Sequence, residues 1–182
     1  MTRKLPTEDQ PSSESRIDSR YSQATSTVVA FNIEVRCWSP DDWAAIRRET
    51  AALGAETSRT FFGVADAFEG VANLSPSTCE SLDQLAYERR ADPSPELVAA
   101  LTSLGRESEH GAGEGRPKEA QCDALQDVRP LATGLGAAPA DAASLASLAW
   151  RVYRTKQLEP QLWTAECRNE GPFDKNGRNV WP

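Results

Sequence analysis

Few residues in this chain have the type and spacing that catalysis or metal binding requires. The four cysteines lie more than forty positions apart, at Cys37, Cys79, Cys122 and Cys167. Structural zinc sites usually take their ligands as close pairs of cysteine or histidine, so this spacing argues against such a site. We therefore expect the cysteines to be reduced and mostly buried, as in an intracellular protein.

The only histidine, His110, lies beside a glycine-rich stretch at 111–115. A cysteine nucleophile needs a nearby histidine base, and a histidine in a flexible segment is a poor candidate for that role. The sequence also has no G-x-S-x-G, no phosphate-binding glycine loop and no H-E-x-x-H. We therefore expect no enzymatic activity, and neither a metal ion nor a cofactor.

Composition narrows the class of protein further. Of the 182 residues 39 % are hydrophobic, below the ~45–50 % typical of globular chains, which fits a folded core with a substantial disordered fraction. The net charge of −7 argues against a basic nucleic-acid coat or membrane-surface protein. No apolar run approaches the ~20 residues that span a bilayer, and residues 1–26 lack a targeting signal. We expect a cytoplasmic chain with no membrane partner.

The clearest structural pattern lies at 27–38. Apolar and polar residues alternate from Phe31 to Cys37, which predicts a half-buried strand. Ser39 and Pro40 then have the residue types of a helix start, and an apolar stripe predicts a helix up to Gly54. A second helix is predicted after it, ending before Pro76.

Strand, capped helix, glycine turn and second helix together resemble the ribbon-helix-helix family of DNA-binding proteins over about Val28–Val71. The resemblance is carried by Ile33-Glu-Val-Arg36, Ser39-Pro-Asp-Asp-Trp43-Ala-Ala-Ile46 and Leu53-Gly54-x-x-x-Ser58. It implies a homodimer in which two strands pair antiparallel and the ribbon enters the major groove of DNA.

The resemblance also implies a DNA interface with two sets of contacts. The polar face of the strand would contact bases through Asn32, Glu34 and Arg36. The helices would contact backbone phosphates through Arg47, Arg48, Ser58, Arg59 and Thr60.

The rest of the chain is predicted to be mainly helical. The fold class is mainly α with one N-terminal strand, a ribbon-helix-helix-like unit followed by a small helical region. The predicted segments are a disordered arm at 1–26, the strand-helix-helix unit at 27–75, a helical segment at 76–105, a flexible linker at 106–120 and a helical region at 121–182. The last region carries aromatic anchors for a protein partner at Trp163, Phe173 and Trp181; the alternative is that they cover the chain's own core.

Two functions remain open from the sequence. The first is a dimeric, sequence-specific DNA-binding regulator whose C-terminal half binds a protein. The alternative is an acidic helical adaptor, inhibitor or chaperone-like protein that binds no DNA. Four arginines and seven acidic residues give residues 27–72 a net charge of −3, which works against phosphate binding. A strand paired between two chains would favour the regulator, and a strand enclosed within one chain would favour the adaptor.

Overall fold

The computed structural model describes residues 15–52, 63–66, 69–155 and 162–175. Within these ranges the chain forms six helices and one four-stranded sheet. In chain order the elements are β1 (Ser15–Ile17), α1 (Ser19–Val29), β2 (Glu34–Trp38), α2 (Pro40–Ala52), β3 (Gly63–Asp66), β4 (Val71–Leu74), α3 (Pro76–Ala86), α4 (Pro95–Gly111), α5 (Pro117–Gly134) and α6 (Pro139–Arg154). The predicted mainly helical fold with an N-terminal strand is confirmed. None of the described helices has the length and apolar character needed to cross a membrane.

The sheet has the order β1-β2-β4-β3. β2 pairs antiparallel with β1 and parallel with β4, so both of its edges are occupied within one chain. Val35 and Cys37 of β2 lie beside Ala72 and Leu74 of β4, and all four are buried in the main core. The strand predicted from the sequence is thus an internal strand of a sheet.

The second helix of the predicted strand-helix-helix unit is not found in the described residues. β3 and β4 lie in its place and form an antiparallel pair, in which Asp66 is opposite Val71. Gly70 lies in the connecting turn with a φ of 66°, a conformation that glycine adopts without strain. A Cβ there would also lie 2.9 Å from the carbonyl oxygen of Asn32. The chain therefore turns between two strands in a region where the spacing of the apolar residues alone predicted a helix.

The segment expected to be a disordered arm contains β1 and α1, while residues 1–14 lie outside the described ranges. The Asp18 side chain caps α1 by accepting hydrogen bonds from the backbone N–H groups of Arg20 and Tyr21. Tyr21 and Thr25 are fully buried, and the Thr25 hydroxyl donates to the carbonyl of Tyr21. A polar helix of this kind buries little aliphatic surface, which is why composition predicted disorder. Because α1 extends to Val29, the predicted strand begins later, at Glu34.

α4 is the central helix, and it packs against α3, α5, α6 and the strands β3 and β4. Gly105 closes the helical segment predicted at 76–105, but it lies inside α4 because α4 and α5 approach closely there. A Cβ on Gly105 would lie 3.1 Å from both the Cα and the Cβ of Ala124. The helix therefore continues, and the linker predicted at 106–120 is reduced to a short connection at 112–116.

All four cysteines are paired, which makes the expectation of reduced cysteines wrong. Cys37–Cys79 joins β2 to α3 with a Cα–Cα distance of 6.0 Å. Cys122–Cys167 joins α5 to the C-terminal segment with a Cα–Cα distance of 5.5 Å. Sequence separations of 42 and 45 residues do not indicate that the cysteines are close in space. For the first pair, the parallel pairing of β2 with β4, which is followed by α3, brings Cys37 and Cys79 together.

Candidate functional site

A cleft of about 460 Å³ lies between the end of β2 and the exposed side of α3. We call it the Trp38 cleft. Its lining includes Arg16, Trp38, Ser39, Glu80, Asp83 and Glu88, together with both residues of one disulfide. β2 ends at Trp38 and β4 at Leu74, and in each case a helix starts after a single connecting residue. Because the two strands are parallel, these two connections meet at one end of the sheet and leave the cleft between them.

One wall of the cleft is the half-buried indole of Trp38. Its Nε1–H donates a hydrogen bond to Asn73 Oδ1 of the neighbouring strand β4, over 2.9 Å. This bond holds the ring in a fixed orientation. An aromatic ring held in this way presents a face on which an organic cation can stack.

The charges of the cleft are predominantly negative. Arg16 Nη2 lies 2.9 Å from Asp83 Oδ1 and 3.4 Å from Asp18 Oδ2, so Arg16 pairs with two carboxylates. Burial alone would lower the pKa of Arg16, but the hydrogen bond and charge of Asp83 raise it above the ordinary value. Glu88 lies 3.6 Å from Arg90. Glu80 forms no ion pair with any of the residues described, and it is exposed.

Asp83 is held at the base of the cleft by two donors. Besides Arg16, the hydroxyl of Tyr21 donates to Asp83 Oδ1 over 2.5 Å. Burial, followed by the hydrogen bond to Asp83, raises the pKa of Tyr21 far above its ordinary value, so the hydroxyl stays protonated and donating. Nearby, the hydroxyl of Tyr87 donates to Asp18 Oδ2 over 2.8 Å. Asp83 is therefore positioned by side chains from β1 and α1.

A second carboxylate-rich region lies between α4, α5 and the C-terminal segment. Lys175 Nζ bonds Glu109 Oε1, lies 3.1 Å from Asp127 Oδ2 and lies 3.8 Å from Asp123 Oδ2. We call these four residues the Lys175 cluster. Burial raises the pKa of Asp127 to about 8 and that of Asp123 to about 6, although Lys175 opposes both shifts. The ammonium group of Lys175 thus lies near three carboxyl groups that are largely removed from water.

The C-terminal segment is firmly attached where it covers this cluster. The Gln126 side chain donates to the carbonyl of Phe173 and accepts from the N–H of Lys175, each over 2.8 Å. The Tyr153 hydroxyl both donates to the carbonyl of Thr164 and accepts from its N–H. Together with Cys122–Cys167, these bonds hold Lys175, which is itself exposed, against the three buried carboxyl groups.

A third charged group, the pair of Arg106 and Glu107 on α4, was not identified in the sequence analysis, although the local sequence indicates it. Glu107 is 3 % exposed, and Arg106 donates to its Oε1 from Nη2 over 2.7 Å and from Nε over 3.0 Å. Residues 106–110 have the sequence R-E-S-E-H, which differs from H-E-x-x-H only in its first position. In that pattern the histidines bind zinc and the glutamate is the general base. Here a guanidinium occupies the position of the first histidine and is bonded to the glutamate.

The part of the chain that the structure describes contains no convergent set of metal ligands. No group of three or more histidine, cysteine, aspartate or glutamate residues in it is arranged to bind a metal ion. His110, predicted to be a loop residue, lies in the last turn of α4, where its Nδ1 contacts the carbonyl of Glu114.

The residues predicted to contact DNA are only partly described. Arg36 Nε lies 2.5 Å from Glu34 Oε1, so these two side chains on the outer face of the sheet are paired with each other. The other described members are exposed: Asn32 lies just before β2, and Arg47 and Arg48 lie on α2. Ser58, Arg59 and Thr60 lie outside the described residues, and no contact links Arg47 or Arg48 to the Glu34–Arg36 pair in the described structure.

Two of the three aromatic residues predicted to bind a protein partner contact the chain's own core. Trp163 and Phe173 are half-buried and pack against the main hydrophobic core. Trp181 lies outside the described residues. The arrangement of the first two fits the alternative that was left open, in which they cover the core.

Comparisons with protein-family models, with curated proteins and with solved structures each found no match.

Proposed function

We propose that this protein is a protein-binding module, the adaptor or inhibitor alternative of the sequence analysis, and that the Trp38 cleft binds a basic segment of its partner. The observation that carries the proposal is the cleft itself, which combines an open volume of about 460 Å³ with an aromatic wall and several carboxylates. Pockets of ~300–1,000 Å³ with a few fixed polar groups are typical of binding sites.

The charge distribution selects a cationic ligand. Glu80, Asp83 and Glu88 line the cleft against one cation, Arg16, which pairs with Asp83 and Asp18. Glu80 is the carboxylate best placed to receive a new partner, since it has no ion pair in the described structure. An arginine or lysine side chain entering the cleft would meet Glu80 and the face of Trp38, which combines a charge pair with a cation–π contact.

The position of β2 favours the adaptor over the regulator. A two-chain ribbon needs a free strand edge, whereas β1 and β4 occupy both edges of β2 within this chain. DNA binding stays a prediction from the family resemblance, and no described contact adds to it.

The charges on α4 support a non-enzymatic role. Glu107 would be the general base of an H-E-x-x-H helix, but it accepts two hydrogen bonds from the Arg106 guanidinium. Arg106 also stands where the pattern has its first histidine, so one of the two zinc-binding histidines is missing.

The disulfides indicate the conditions under which the module acts. Both cysteine pairs are closed, and disulfides persist mainly in oxidising environments. We therefore place the folded chain in an oxidising compartment in preference to the cytoplasm.

The proposal is tested by calorimetric titration of the full chain with a synthetic peptide of alternating arginine and glycine. An alternating glutamate and glycine peptide of the same length is the control ligand. We expect the arginine peptide alone to bind, and its affinity to fall as salt rises because rim charges are screened. Glu80→Gln should weaken binding about two- to fivefold, the range of one exposed charge pair.

Glu166→Gln is the matched control variant, since Glu166 is exposed in the C-terminal segment and does not line the cleft. Equal affinity of both peptides, or equal losses in the two variants, would show that the cleft is not the binding site.

A further inference from the structure

The two disulfides have different surroundings although they close segments of similar length. Cys37 and Cys79 both line the open Trp38 cleft. Cys122 is fully buried, and its sulfur lies 3.7 Å from the carbonyl oxygen of Phe173 and 3.8 Å from Gln126 Nε2, both inside the C-terminal attachment. Cys37 and Cys79 keep 7 % and 4 % of their surface exposed, against 0 % for Cys122 and 3 % for Cys167, and the cleft gives a thiol in solution a path towards the first pair.

A cation lies against one sulfur of the accessible pair. Arg16 Nη2 is 3.7 Å from Cys37 Sγ, which is hydrogen-bonding distance for sulfur. Neighbouring guanidinium groups stabilise thiolates and lower thiol pKa values. In thiol–disulfide exchange, the sulfur that leaves faster is the one whose thiol has the lower pKa. The geometry thus makes Cys37 the favoured leaving group and Cys79 the favoured point of attack.

We propose that Cys37–Cys79 is a site of thiol–disulfide exchange with a low-molecular-mass thiol, and that Arg16 assists the step by stabilising the departing sulfur. The thiolate of the first thiol forms a bond to Cys79 Sγ, the Cys37–Cys79 bond breaks, and its electron pair stays on Cys37 Sγ. A second thiol then displaces Cys79 from the mixed disulfide. The protein gains two electrons and two protons, and two thiols become one disulfide.

This exchange would regulate the cleft, a consequence that rests on the proposed function. The disulfide links β2, which carries Trp38, to α3, which carries Glu80 and Asp83. Reduction removes the covalent link between the aromatic wall and the carboxylate wall. We expect the reduced protein to bind the arginine peptide more weakly than the oxidised protein.

The exchange step is tested without any ligand for the cleft. The full chain is incubated in native buffer with increasing reduced glutathione, alkylated, and mapped by peptide mass spectrometry. We expect Cys37 and Cys79 to be labelled about tenfold faster than Cys122 and Cys167. Simultaneous labelling of both pairs, or earlier labelling of the second pair, would overturn the proposal.

Two variants with opposite expected effects separate assistance by Arg16 from simple loosening of the cleft. Arg16→Gln removes the cation and should slow reduction of Cys37–Cys79 about threefold. Asp83→Asn removes a carboxylate that competes for Arg16 while its amide oxygen still accepts from Tyr21, so it should speed the same reaction. Loosening alone would change both rates in the same direction, and that result would contradict the role of Arg16.

Arg20→Gln is the control, because Arg20 bonds the carbonyl of Ala86 and stacks on Tyr87 without contacting sulfur. It should leave the labelling rates unchanged. The labelling experiment and the peptide titration can fail independently. Selective reduction of Cys37–Cys79 without peptide binding would remove the proposed function and keep the exchange site. Peptide binding without selective reduction would keep the proposed function and remove the exchange site.

Discussion

Two carboxylate-rich regions lie beside the two disulfides, and they differ in how completely their charges are satisfied. In the Lys175 cluster, three carboxyl groups converge on one ammonium under a segment attached by Cys122–Cys167. In the Trp38 cleft, the carboxylates line an open volume beside Cys37–Cys79, and Glu80 lacks an ion pair among the described residues.

The difference shows that the same residue types have a structural role in one place and suit binding in another. Burial makes an unpaired carboxylate expensive, so removing the lysine from the Lys175 cluster should lower stability. An exposed carboxylate stays hydrated and costs little free energy without an ion pair, so Glu80 is available to bind an external cation.

The largest expected effect comes from removing either disulfide. Cys122→Ser with Cys167→Ser, or Cys37→Ser with Cys79→Ser, should each lower the free energy of unfolding by about 4 kcal/mol, because each bond closes a loop of similar length. Denaturant unfolding under non-reducing conditions measures both losses. Similar losses would show that the two regions differ in access and not in stabilisation; a loss near zero for either pair would contradict its structural role.

Removing the lysine from the Lys175 cluster should be the next largest effect. We expect Lys175→Met to lower the free energy of unfolding by about 3 kcal/mol, because it leaves buried carboxylates without their cation. Lys118→Met is the control, since Lys118 is exposed on α5 and should change stability by less than about 0.5 kcal/mol. Equal effects of the two variants in denaturant unfolding would contradict the stabilising role of Lys175.

The Lys175 cluster should also make stability depend on pH. The pKa of Asp127 is about 8 in the folded chain, whereas an unfolded aspartate has a pKa of about 4. The folded state therefore binds more protons between these values, so stability should fall as the pH rises through this window. We expect a loss of about 1–2 kcal/mol between pH 6 and pH 8.

Chemical denaturation at several pH values measures this slope. Asp127→Asn should flatten it, because the amide cannot ionise, while Asp92→Asn, at an exposed position, should leave it unchanged. A wild-type profile that is flat or rises between pH 6 and pH 8 would exclude the assigned direction.

The helix starts could be predicted from sequence because they depend on local residues. Ser39 with Pro40 predicts a helix start, and α2 begins there; Ser94 with Pro95 has the same residue types, and α4 begins there. The Ser94 hydroxyl accepts from the N–H of Leu97, a capping bond that needs no distant partner.

Features that depend on distant partners could not be predicted in the same way. β1 and β3 are short and exist through pairing with β2 and β4. Gly105 has the residue type of a helix end, but its role is to let α5 approach. The Trp38 cleft brings together residues more than forty positions apart in the sequence, so no local pattern indicates it, whereas the R-E-S-E-H sequence of α4 was a local signal and was missed.

The smallest expected effect is that of Arg36→Ala, which separates the adaptor from the DNA-binding regulator. The Glu34–Arg36 pair is about one-third exposed, so its loss should change the free energy of unfolding by less than about 1 kcal/mol. We also expect no retention of random duplex DNA at ~50 mM salt, where phosphate contacts are strongest. Retention that falls in Arg36→Ala but not in Arg154→Ala would restore the regulator.

The occupancy of the Trp38 cleft is tested most directly by the indole N–H resonances of the full, ¹⁵N-labelled chain during titration with the arginine and glycine peptide. The Trp38 resonance is assigned by its loss in Trp38→Phe. The account predicts that the Trp38 indole signal shifts most, because its ring forms the cleft wall and its N–H is bonded to Asn73. Larger shifts at Trp150 or Trp163, or no shift at Trp38 when calorimetry shows binding, would contradict the account.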